Sequence, residues 1–461
     1  MKWHWNVQNV LSIPLVGPLI DTNQDGLIND LDDPTVVFLS HAGFVDGSRG
    51  VLRAINGRTG EEIWSVTDTS FLSEGSTHPA MGDIDGDGIP EIVTYLRSGG
   101  VAAFSNDGTL LWQSALPVRP SGCCHYGAIN IADIDSDGQP EILARNYVLN
   151  NDGSVRWSVA EVAQTVSGFA VDFDLDGSLE VVVGNRAYRN DGSLLWESTS
   201  SGILHSGFGN FDDDLFPEIV LVGNSRVNLI DNDGTTIWSV AIPNNRRFGG
   251  APTIADVDGD GLAEIGVAGS SRYVVYNEDG SMLWSQNTQD YSSSNTGSTV
   301  FDFDGDGRAE IIYADEARLR VYDGLSGTVI FNIPNGSATA TEYPVVADID
   351  GDNHAELLVV SDRLPTRGIR AFEDVNDSWV NTRRIWNQYH YHIDNINDDG
   401  TIPSSPASGW QTHNTFRLNT LPDGDPLGKP DLTLSKLRAI QLEGGEYSIE
   451  VEARNRGLAQ T

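Results

Sequence analysis

Asp83, Asp85 and Asp87 alternate along the stretch DIDGDGIPE, with Gly88 next and Glu91 closing it at the ninth position. Four carboxylates so close together need a partner. Like charges about 5 Å apart repel by about 3 kcal/mol per pair at an effective dielectric near 20. A hard cation removes that penalty, and an all-oxygen donor set selects calcium over zinc or copper. Gly88 permits the sharp turn around the ion, and Glu91 can close the shell with two oxygens. An EF-hand closes at position 12 and enters a helix, whereas this loop closes at position 9, directly before a strand.

The arrangement recurs. Asp133, Asp135, Asp137 and Glu141 keep the spacing, as do Asp172, Asp174, Asp176 and Glu180. So do Asp256, Asp258, Asp260 and Glu264, then Asp302, Asp304, Asp306 and Glu310. In Asp348, Asp350, Asp352 and Glu356 the glycine becomes Asn353, a residue that tolerates left-handed backbone. NFDDDLFPE starts with Asn210 and has Leu215 in the glycine position, so this copy is expected to hold metal poorly. An earlier loop differs in kind, with Asp21, Asn23, Asp25, Gly26, Asn29 and Asp32 at positions 1, 3, 5, 6, 9 and 12 of an EF-hand-like turn. Together these readings predict several calcium ions per chain.

The loops begin at residues 83, 133, 172, 210, 256, 302 and 348, a period near 46 that marks a solenoid or a propeller. Within one unit APTIADVD, AEIGVAG, RYVVYNEDG and SMLWSQN are strand-length runs separated by turn residues. Asp-Gly pairs such as those after Asn151 and Asn190 favour hairpins. Four antiparallel strands per unit predict a β-propeller blade. Trp64, Trp112, Trp157, Trp196, Trp238 and Trp284 close successive units, with Phe331 in the next, and such flat side chains can cover the cleft between blades. The segment before Asp83 supplies one more unit. The predicted fold is therefore all-β with eight blades, seven being the alternative, and KWHWNV (Lys2 to Val7) resembles an outer strand able to close the ring.

Composition limits the function. With 66 acidic against 28 basic residues the net charge is −38, which argues against nucleic-acid binding. Only Lys2, Lys429 and Lys436 are lysines, and an acidic, lysine-poor surface suits a salty extracellular medium. No apolar run reaches the ~18 residues of a membrane span. VLSIPLVGPLI is broken by two prolines, and MKWHWNVQNV lacks the apolar centre of a signal peptide, so targeting information is expected to be absent or to lie upstream. The adjacent Cys123 and Cys124 are either two free thiols or a vicinal disulfide that stiffens a turn.

The repeats resemble FG-GAP (VCBS-type) repeats, the units of the integrin α-chain propeller and of many bacterial secreted proteins. FGGAPTIADVDGDG, Phe248 to Gly261, carries the resemblance most closely, and the first loop is similar to a dockerin loop. The resemblance implies calcium in the turn between the first and second strands of each blade. It also implies an extracellular or cell-surface location and a protein or glycan partner on the opposite face. The reading assigns 1–393 to the propeller, 394–428 to an irregular cap, and 429–461 to the start of an immunoglobulin-like module resembling CARDB. That last segment is too short for about seven strands, so further domains are expected beyond it.

Candidates for the ligand face follow from strand order. Arg97, Arg145, Arg186, Arg226, Arg272, Arg318 and Arg363 each stand four to eight residues after a loop glutamate, near the turn from second to third strand. They read either as separate pairings with local acids or as a ring of guanidinium forks around the channel mouth, suited to carboxylates. His78 and His205, each five residues before a loop, are expected at that mouth. His390 and His392 have no evident third metal ligand and belong to an aromatic-rich cap, while NINDDG from Asn395 is a partial loop. The function expected is a calcium-stabilised adhesion or binding propeller. The alternative is an enzyme similar to a rhamnogalacturonan-type lyase or, through LRAINGRTGEEIW, to a quinoprotein dehydrogenase, although no nucleophile with an adjacent base is visible.

Overall fold

Glycine and Asx turns cut the chain into short strands, and these gather as eight antiparallel blades. The computed structural model describes residues 1–421 except 30, 44–48, 115, 117–126, 161–165, 203–204 and 213, together with the strands Leu432–Gln441 and Tyr447–Asn455. Cys123 and Cys124 lie outside the described residues. Blade 6 is representative, with strands Thr253–Ala255, Glu264–Ala268, Arg272–Tyr276 and Met282–Asn287. Its first two strands are buried throughout and the third almost so, while the outer one is half-exposed. That gradient explains why inner strands are continuous apolar runs and outer ones alternate.

Tryptophans seal the seams between blades. The Trp238 ring lies against Gly280 in the next blade's outer hairpin, where an added Cβ would come within 3.0 Å of it. Its indole N–H donates to the Glu278 carbonyl at 2.8 Å. Trp64 on Gly108, Trp157 on Gly192, Trp196 on Gly234 and Trp284 on Gly327 repeat the contact. Their N–H groups donate to hairpin carbonyls at 2.6–2.8 Å. Gly280 has φ +80, so glycine is needed there both for the turn and for the ring above it. Phe331 finds no such hairpin in blade 8, and its ring centroid lies 6.4 Å from that of Phe372.

Blade 8 lacks a hairpin there because its fourth strand comes from the other end of the chain. Trp3–Trp5 pairs with Gly368–Phe372 through Trp3↔Ala371, His4↔Arg370 and Trp5↔Ile369, as KWHWNV predicts. Trp3 then caps Gly60 of blade 1 and donates to the Gly57 carbonyl at 2.6 Å. The apolar stretch after residue 9 forms the inner edge of blade 1. Asn9–Val10 and Leu15–Gly17 both pair with Thr35–His41, with Pro14 in the gap between them.

The axial channel is filled by the chain after blade 8. Inner strands leave one edge unpaired, and residues 386–419 satisfy many of those groups. Val16 and Trp386 exchange both backbone bonds at 2.9 and 2.8 Å. Met81 N–H donates to the Asn387 carbonyl, and Ile131 N–H to the Gln388 side chain at 2.7 Å. Phe416 pairs with Ile254, and Asn419 donates to the Val346 carbonyl at 3.0 Å. Arg417 is fully buried, its guanidinium 4.4 Å from the centroid of the Tyr343 ring and 4.7 Å from that of Tyr389, a favourable cation–π setting. Beyond the plug, Leu432–Gln441 and Tyr447–Asn455 pair antiparallel. This hairpin is what the described residues contain of the expected CARDB-like module, whose identity it does not establish.

Candidate metal centres and the opposite face

Each loop is tied at both ends by its blade. The residue before the first aspartate pairs with the closing glutamate, as in Gly82↔Glu91, Ala255↔Glu264 and Ala347↔Glu356. Asp83 accepts the amide N–H groups of Gly86 and Gly88 at 2.7 and 2.9 Å, and Asp256 does the same for Gly259 and Gly261. Every closing glutamate turns one oxygen to the amide of the second loop residue. The seven bonds, from Ile84, Ile134, Phe173, Phe211, Val257, Phe303 and Ile349, measure 2.7–3.2 Å.

That geometry commits one oxygen of each glutamate and, outside blades 3 and 8, leaves the other for a ligand. Oε1 of Glu264 and of Glu218 is buried with no hydrogen-bond partner, a costly condition for a carboxylate. Ligand oxygens of Asp83, Asp85 and Glu91 lie within 4.8 Å of one another. Asp133, Asp135 and Glu141 cluster in the same way, as do Asp172, Asp174 and Glu180, and Asp256, Asp258 and Asp260. Burial pushes the Glu264 carboxyl up to about 8, with the charges of Asp258 and Asp256 adding to it against the Val257 amide bond. Glu91 and Glu180 are also raised to about 8 and Glu356 to about 9, burial leading in each case. These oxygen clusters can hold a metal ion.

Three loops depart from what their sequence implies. Asp212, Asp214 and Glu218 converge like the complete sets, although Asn210 and Leu215 made this copy look defective. The plug repairs the turn, for Asn414 clamps Asn210 through both its amide atoms and Trp410 and Gln411 donate to the Leu215 carbonyl. In blade 3 the Arg156 guanidinium bridges Asp135 and Glu141, lying 2.7 Å from the latter. In blade 8 the Lys2 ammonium is 2.7 Å from Asp350, 3.4 Å from Glu356 and 2.6 Å from Glu373. Resident cations therefore sit on the third and ninth positions of two loops whose sequences look complete. In blade 7 Arg308 pairs with Asp306 at the exposed rim.

The EF-hand-like loop of blade 1 folds around Asp21, which accepts the Gly26 and Asp25 amides, and Asn23, which accepts that of Asp25. Asp32 is buried and spends its oxygens on the amides of Thr22 and Asn29, while Asn29 accepts from Leu31. Asp32 thus organises the loop.

The opposite face carries the turns between second and third strands. His78, two residues before its inner strand, and His205, at the start of its own, are not at an open channel mouth but buried under the plug. His78 accepts the Ile13 amide at 2.9 Å and stacks on Tyr389, with ring centroids 4.6 Å apart. His205 meets Asn295 at 2.7 Å. Burial lowers both rings, to about 3 and about 4, with the Arg417 charge contributing, so they are neutral packing groups. The arginines divide. Arg186 pairs with Glu197 at 3.1 Å, Arg363 lies 3.9 Å from Asp362, and Arg145 is buried. Arg226 bonds only to Ser239 among the described residues, and Arg318 is exposed. All stand on or beside third strands, away from the channel wall formed by first strands.

One buried set has the composition of a hydrolase triad. His390 meets Ser206 at 3.3 Å through Nε2 and Asn130 at 3.1 Å through Nδ1. All three side chains are buried and the Asn130 amide also bonds Ser167 and the Gly168 carbonyl, so the set belongs to the packing under the plug. Burial also lowers the His390 ring well below its ordinary value.

The raised carboxyls set a pH dependence. A glutamate near 8 in the folded, metal-free protein and near 4.5 unfolded binds its proton more tightly when folded. The stability it contributes is complete below about pH 4.5 and is lost as pH rises to about 8. Calcium requires the ionised form. The melting temperature in chelator is thus expected to fall from pH 5 to pH 8 while the gain on adding calcium grows. A gain independent of pH in differential scanning calorimetry would contradict this protonation coupling.

Comparison with known proteins agrees with this geometry. A family model described as an FG-GAP-like repeat matches residues 83–144, 256–312 and 302–359. No curated protein matches the chain. The crystal structure of the V. cholerae biofilm matrix protein Bap1 is similar over 91% of this chain and 98% of that one, with a TM-score of 0.84 and 22% identity. Rhamnogalacturonan lyase YesW has a TM-score of 0.51 and 18% identity over 78% of this chain and 71% of its own. Saccharomyces cerevisiae Sqt1 has a TM-score of 0.52 and 12% identity over 78% of this chain and 95% of its own. At these identities the likeness is one of fold.

Proposed function

We propose that this eight-bladed propeller of FG-GAP-like repeats is a calcium-stabilised extracellular module for binding and adhesion. The observation that carries the reading is the recurrence of one oxygen-only loop on one face, in phase with the blades, with buried glutamate oxygens left without partners in blades 5 and 6. Such donors favour calcium, and ions there would rigidify the face that anchors every blade. A channel filled by side chains leaves the rims and the opposite face as contact surfaces, which suits recognition of a protein or glycan. The likeness to Bap1, a biofilm matrix protein, supports adhesion through the fold it shares.

The lyase reading rests on a weaker fold likeness. A glycan array and a panel of immobilised matrix proteins, probed with calcium-loaded protein, should show saturable retention. A parallel assay on pectin should release no unsaturated product. Release of product with no retention on either surface would overturn the binding reading.

A further inference from the structure

Resting on that reading, we infer that blades 5 and 6 form a site for acidic polysaccharide on the face opposite the metal loops. In blades 5 and 6 charge is segregated by face. The metal loops and the Asp-Gly hairpins share one side of the ring, whereas 219–230, 236–255 and 265–277 contain no aspartate or glutamate at all. Those acid-free segments carry Arg226, Arg246, Arg247 and Arg272. Among the described residues none of the four pairs with a carboxylate, and Arg226, Arg246 and Arg247 are exposed.

The patch is held in place. The loop 242–248 is fastened to its own blade, where Ser225 N–H donates to the Phe248 carbonyl at 2.7 Å. It is also fastened to blade 6, where Asn245 accepts the Ser270 amide at 2.9 Å, the Arg246 amide donates to Ser270, and Ser271 donates to the Asn244 carbonyl. Arg246 lies 5.2 Å from the centroid of the half-exposed Tyr291 ring. Arginines presented by a braced loop lose less freedom on binding, and their planar forks match carboxylates in pairs. Arg226 and Arg272 recur at the same strand position on successive blades. A repeated cation suits a ligand that repeats its carboxylate, and a polyuronate chain does so at every sugar. On a chain of net charge −38, an acid-free arginine patch is a local attraction for an anion, and an exposed one weakens with salt.

The test is calorimetry of a galacturonate hexamer against calcium-loaded protein and against the quadruple variant R226Q/R246Q/R247Q/R272Q. The parent should bind with an affinity that falls steeply between low and high salt. The variant should lose about 100-fold or more, at about tenfold for each pair of arginines that engages, with melting temperature and bound calcium unchanged. A variant that binds like the parent would overturn the site. So would a parent that binds no uronate, or one that binds poly-glutamate as tightly, which would make the partner an acidic protein. Retention on neutral glycans or matrix proteins without uronate binding would overturn this site alone, and absence of retention on every surface would remove the adhesion reading as well.

Discussion

Chelating divalent metal is expected to lower the melting temperature by about 8 °C or more at neutral pH. Binding to the folded state alone stabilises by about 2.7 kcal/mol per site at a hundredfold excess over Kd. The loops of blades 2, 4 and 6 are complete and carry no resident cation among the described residues, so three such sites contribute about 8 kcal/mol. A chain of 461 residues unfolds with an entropy near 1 kcal/mol per degree at about 2.1 cal/mol/K per residue. Scanning calorimetry with EGTA and with calcium checks the shift, and magnesium should restore little of it, since it dehydrates reluctantly and demands a tighter octahedral cage. Superimposed traces would remove calcium from the account.

Deleting residues 1–6 should be about as damaging, at about 10 °C. The ring then loses the fourth strand of blade 8 and the seam to blade 1. Trp5 is buried edge-on to Phe38 with centroids 4.9 Å apart, and Trp3 caps Gly60. Removing the buried Trp5 costs about 3–5 kcal/mol, and the partly buried Trp3 is lost with it. Asp350 and Glu356, both buried, would also lose the Lys2 ammonium. An unpaired strand edge is exposed at Gly368–Phe372, so the truncated chain should associate. Trp3→Ala alone should cost less than the ~3–5 kcal/mol of a fully buried tryptophan, which separates the seam from the strand. A truncated protein that melts with the parent and stays monomeric in sedimentation would show that the first strand does not close the ring.

Local features were the legible ones. Asp83, Asp85 and Asp87 share one turn, so their spacing alone determines that their oxygens converge. The loops and the closing tryptophans likewise recur once in each unit, and KWHWNV declared itself as a strand without a neighbour. Contacts between residues distant in sequence left no such trace. Arg156 reaches back from the fourth strand of its blade to Asp135 and Glu141, and Lys2 arrives at Asp350 from the far end of the chain. Neither distance in sequence marks a pairing. The five-residue spacing put His78 and His205 at an open channel mouth, yet both are buried, because the plug that covers them is irregular and shows no period. Its bonds, such as that from Asn130 to His390, join residues 260 apart. The rescue of the Asn210 loop by Asn414 is hidden for the same reason, and Arg246 meets Tyr291 only because two blades bring separate loops together.

The central claim is that repeated oxygen loops hold calcium, and counting the ions tests it most directly. Protein equilibrated with calcium, freed of loose ions by gel filtration and analysed by inductively coupled plasma mass spectrometry should retain at least three calcium ions per chain. Asp256→Ala should remove one of them and leave the others in place, because each loop is confined to its own blade. A preparation that is folded and monomeric but retains no calcium, or an Asp256→Ala variant that retains as much as the parent, would contradict the account.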